Sequence, residues 1–202
     1  SPRTDGRAYR GGMSTRTLSI VAVAVPHLVV AAIGLTHPAT LTIDSAHHWQ
    51  VMHTVLLPLF PLLALGPWLL ARAVDARSSV VVGVVAFVYA CFYTALDVLA
   101  GIGGGAIKAA EGGGLSAVFP VARDLGAVGS YAHLAATALA VGLALRVTGL
   151  ARGLSGALLV LVGSFMFWQE HVYRPWGVLA MVLLAAGWSW LLVAVDRAEA
   201  RR

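Results

Sequence analysis

The chain has 202 residues, of which 59% are hydrophobic and only 11% charged, and it carries a net charge of +5. A soluble domain has about 25% charged residues, so water is excluded as the solvent for most of this surface. The basic excess does not indicate nucleic acid, because the arginines stand in short clusters between apolar runs, as topology signals do.

In chain order, residues 1–16 form a cytoplasmic tail. Its first part, 1–12, reads as an exposed segment ahead of a native-like start, MSTRT from Met13. Apolar runs long enough to cross the roughly 30 Å hydrocarbon core follow at about 17–36, 48–71, 79–100, 125–147, 154–171 and 175–195. They predict an all-α, polytopic membrane protein: a single six-transmembrane-helix domain over 17–196, then a short tail over 197–202. The second run holds Pro58, Pro61 and Pro67, each of which removes a backbone donor and kinks or breaks a helix. The stretch 101–124 has seven glycines in two clusters and is expected to be an outer loop, either a floppy connector or a hinged flap. The last two runs are parted by a few residues and predict a tight helical hairpin.

Six spans put both chain ends on one side. On that side fall Arg3, Arg7, Arg10, Arg16, Arg72, Arg77, Arg146, Arg152, Arg197, Arg201 and Arg202, leaving only Lys108, Arg123 and Arg174 on the other. Positive residues stay cytoplasmic, so the expected topology is N-in/C-in in the plasma membrane.

That topology gathers chemistry at the outer end. All the histidines except His27 fall in the outer half. Residues three and four apart share a helix face, which makes stripes of Tyr89, Tyr93 and Asp97, of Ser130, His133 and Thr137, and of Ser164, Trp168 and His171. Polar stripes are costly against lipid and are expected to face the bundle interior. His47 and His48 lie about 120–140° from His53 on a regular helix and point elsewhere.

The leading expectation is a metal centre built from His53, Asp97, His133 and His171, with Glu170, Tyr93 and Ser130 as supporting groups or base. Imidazole and carboxylate suit zinc, copper or iron, for redox chemistry or for hydrolysis of a lipid-like substrate. A b-type haem between His53 and His133 is a second form of the same expectation. The alternatives are a transporter for protons or a small solute, or a non-catalytic subunit held by membrane-protein partners. Any one of these histidines, taken alone, reads as an ordinary hydrogen-bonded or interfacial side chain. GLSG at 153–156 matches an intramembrane serine-protease pattern, but Ser155 lies about 24 Å along its helix from His171, beyond the reach a nucleophile and its base require. The lone Cys91 excludes an intrachain disulfide.

Overall fold

The computed structural model describes residues 14–201; most of the expected N-terminal tail, and Arg202, lie outside the described residues. Six helices are long and apolar enough to cross a membrane: α1 (Thr15–Gly34), α2 (Ile43–Val74), α3 (Ala76–Ala109), α4 (Leu115–Thr148), α5 (Leu150–Glu170) and α6 (Trp176–Glu199). The number of such helices agrees with the sequence; several of their boundaries do not.

α2 begins at Ile43 rather than near 48. Thr42 and Ser45 form a reciprocal capping box that starts the helix in what reads as a polar loop. The prolines then divide α2 into Ile43–Leu56, Leu59–Leu62 and Leu65–Val74. A break inside a bilayer persists only where neighbouring groups satisfy the backbone it loosens. Tyr89 of α3 does part of this, its hydroxyl donating to the Phe60 carbonyl at 3.1 Å.

The largest correction concerns 101–124. α3 does not end near 100. It widens into a π-helix over Asp97–Gly103 and returns to α geometry over Gly104–Ala109. α4 starts at Leu115, so the connection shrinks to 110–114. The glycines at 101 and 105 are present for close approach, not for flexibility. A Cβ on Gly101 would stand 2.3 Å from the His53 ring, and one on Gly105 would stand 2.8 Å from Gln50. At about 1.5 Å per residue, the 34 residues of each of these helices exceed the roughly 30 Å hydrocarbon core. Each is therefore longer than a single span requires.

Arg16 of α1 and Asp196 of α6 form an ion pair at 2.6 Å, which places both ends of the described chain at the same end of the bundle. α5 and α6 make the expected hairpin. Small residues let their backbones meet, the usual solution for helices in lipid: a Cβ on Gly187 would lie 2.7 Å from Val160, and one on Gly163 would lie 3.0 Å from the Ala180 carbonyl.

Candidate metal centre

Three histidines from three separate parts of the chain converge at the end of the bundle opposite the Arg16–Asp196 pair. His37 follows α1, His53 lies on the first segment of α2, and His171 caps α5. One ring nitrogen from each lies within 4.8 Å of the others. A tetrahedral ion at about 2.0–2.1 Å from each nitrogen would need them somewhat closer.

Nδ1 of each ring is already hydrogen-bonded. His37 Nδ1–H donates to the Pro38 carbonyl at 2.8 Å, and His53 Nδ1–H donates to the Trp49 carbonyl at 2.8 Å. Carbonyls only accept, so both rings must carry their proton on Nδ1, which leaves a lone pair on Nε2. His37 Nε2 is buried and has no hydrogen-bond partner among the described residues. His171 Nδ1 is hydrogen-bonded to the Tyr93 hydroxyl. Metal-bound histidines typically have this second contact, which fixes tautomer and ring orientation.

Local structure explains the convergence. Pro38 restricts the backbone of His37 to extended conformations. The Gly101 backbone lies flat against the His53 ring, and Trp49, whose indole donates to the Ala100 carbonyl at 3.1 Å, stacks on its other side with centroids 5.1 Å apart. His171 has a φ of +51°, a conformation rare outside glycine and concentrated at functional sites. The turn behind it is tight, because a Cβ on Gly177 would stand 2.5 Å from the His171 carbonyl.

Burial holds the His37 imidazole below its ordinary value of 6.5; its bond to Pro38 opposes this and nearby His48 adds to it. His171 is held well below 6.5, again chiefly by burial, then by His53 and His37. Both rings are therefore neutral at neutral pH, the state a metal requires. Burial also raises the Tyr173 phenol, whose ring packs 4.2 Å from His37.

A cleft of about 380 Å³ adjoins the cluster, lined among others by Trp49, His53, Tyr93, Asp97, Ser130 and His171, with Glu170 and Arg123 also in its wall. Among the residues expected from sequence, His53 and His171 are brought together. Asp97, Ser130, Tyr93 and Glu170 share the cleft, but Asp97 is not within the three-histidine group. His133 is not brought to the cluster. It is buried in the bundle, hydrogen-bonded to Ser164 at 3.2 Å and packed against Tyr89 with centroids 4.9 Å apart. His47 and His48 are exposed, as the helical geometry requires. His37 takes the place that sequence reasoning assigned to His133. The one signal for it was the His-Pro pair, and the approach of a loop to two helices is a tertiary fact. Comparison with family models, with curated proteins and with solved structures finds no match for this chain.

Proposed function

We propose that this multi-pass protein lies in the plasma membrane with both termini in the cytoplasm, and that His37, His53 and His171 hold a transition-metal ion at its outer face. Held by these three residues beside the cleft, the ion would supply Lewis-acid activation of water, for hydrolysis of a substrate that reaches the cleft from the outer leaflet. The observation that carries this reading is the convergence of three imidazoles, each of which is also held by a hydrogen bond at Nδ1. Three histidines with a fourth position left to water is a ligand set of catalytic zinc, and water on such an ion ionises near neutral pH.

A small ion fits this cluster better than haem. Three imidazoles with a nitrogen of each within 4.8 Å of the others favour a single centre, whereas a porphyrin needs a clear plane between two axial ligands. Here the space around His53 is taken by His37 and Trp49, with ring centroids at 5.2 and 5.1 Å. His133, the second axial ligand considered, is engaged with Ser164.

The test is elemental analysis of protein purified in mild detergent. About one zinc, or an equivalent transition metal, per chain is expected. It should be lost in His37→Ala, His53→Ala and His171→Ala and kept in His133→Ala and His47→Ala. A chelator should stop hydrolysis of a lipid-analogue ester, and zinc should restore it. Metal-free protein after reconstitution, or equal loss in His133→Ala, would refute the assignment.

A further inference from the structure

Asp97 opens the π-helical turn of α3 and is 1% exposed, yet neither of its carboxylate oxygens has a hydrogen-bond partner among the described residues. A buried carboxylate left alone is strongly disfavoured; it either takes up a proton or binds a partner that carries the opposite charge. Among the described residues, no lysine lines the cleft that Asp97 faces, and the one arginine in its wall, Arg123, has a side chain 78% exposed and lies 3.6 Å from Asp124. Asp97 is also absent from the group of residues whose ligand atoms lie within 4.8 Å of one another, so the metal does not account for it.

The rest of the cleft wall narrows the ligand. Trp49, Tyr93 and Tyr173 bring aromatic rings to it, and ring faces attract cations. Two unpaired acceptor oxygens favour a cation with N–H donors over a quaternary one, which has none to give. Ser130 adds a hydroxyl to the same wall. The volume, about 380 Å³, falls within the range of small-molecule sites.

We propose that the cleft beside the three histidines binds a primary ammonium group, with the Asp97 carboxylate as its anchor and the aromatic wall around it. This deepens the functional reading by naming the ligand, but it stands on Asp97 and not on the metal. The ammonium group is shared by a free amine and by an ethanolamine lipid headgroup, and the cleft's place near the outer helix ends is open to both.

The test uses full-length protein in nanodiscs of phosphatidylglycerol, which contain no amine. Ethanolamine should raise the thermal-unfolding midpoint, while choline and ethylene glycol at the same concentration should not. Asp97→Asn should weaken the ethanolamine response at least tenfold while keeping its zinc, and Asp97→Glu should keep the response. His37→Ala, stripped of metal, should still respond, which separates this proposal from the metal assignment. In phosphatidylethanolamine nanodiscs, a midpoint already raised and unmoved by added ethanolamine identifies the lipid as the source. A midpoint that still rises identifies a free amine. No response of the wild-type protein to ethanolamine, an equal response to ethylene glycol or choline, or loss of zinc in Asp97→Asn would overturn the proposal. The wild-type comparisons decide it even where a variant fails to fold.

Discussion

His53 rests against the backbone of Gly101, and the contact leaves no room for a methyl group: a Cβ there would meet ring carbons at 2.3 Å. Gly101→Ala is expected to turn the ring and weaken metal binding by roughly 10–100-fold, the usual effect of disturbing a group that orients a ligand. Gly113→Ala, with nothing within 4 Å of its Cβ, should leave binding unchanged. Titration with a zinc-competing dye reads both. Tyr93→Phe removes the hydroxyl that holds His171 Nδ1 and is expected to lose a similar factor; unchanged affinity would remove Tyr93 from the centre. The metal-free protein should also lose stability on acidification. His37 and His171 both titrate below 6.5 in the folded chain. Above that pH neither state carries the proton. Below it the unfolded chain takes up protons first, so stability falls as the pH drops from about 6.5. Denaturant midpoints measured from pH 7.5 to 5 should decline, and a flat profile would contradict the buried, neutral state of these rings.

Among the elements, the broken α2 shows how local chemistry is compensated across helices. Tyr89→Phe would remove the side-chain hydrogen bond to the Phe60 carbonyl, which keeps its backbone bond from Leu63 N–H, and a lost hydrogen bond of this kind costs about 0.5–1.5 kcal/mol. Lower thermal stability with the helix content retained is the expected outcome. Gly187→Val pushes a branched side chain into Val160, already 2.7 Å from a would-be Cβ. Overpacking of this kind costs about 1–3 kcal/mol and should loosen the α5–α6 hairpin. The stripes of Tyr89, Tyr93 and Asp97 and of Ser130, His133 and Thr137 were legible from spacing alone, and all six residues are buried. Their period is a local property that the sequence displays directly. The outer ends of α3 and α4 were not legible. Glycine disfavours helix by propensity, and only the neighbouring α2, pressed against Gly101 and Gly105, makes glycine the residue that fits. The third histidine of the cluster, His37, was hidden for the same reason, because no periodicity joins a loop histidine to two helices.

For the molecule as a whole, the apolar runs made the number of spans readable, and the arginine pattern paired the two chain ends, as the Arg16–Asp196 contact also does. With the termini cytoplasmic, a cysteine at Glu111, in the short α3–α4 connection, should react with a membrane-impermeant maleimide on intact cells in a Cys91→Ser background. A cysteine at Ser14 should react only after lysis; the reverse pattern would invert the topology and put the histidines on the cytoplasmic side. The centre itself is tested most directly by X-ray absorption at the zinc edge on the purified, zinc-loaded protein. Three imidazole nitrogens at about 2.0–2.1 Å with one oxygen ligand are expected, and the imidazole signal should fall in His37→Ala. A spectrum of oxygen ligands alone, or one that His37→Ala leaves unchanged, would show that these three histidines do not hold a metal.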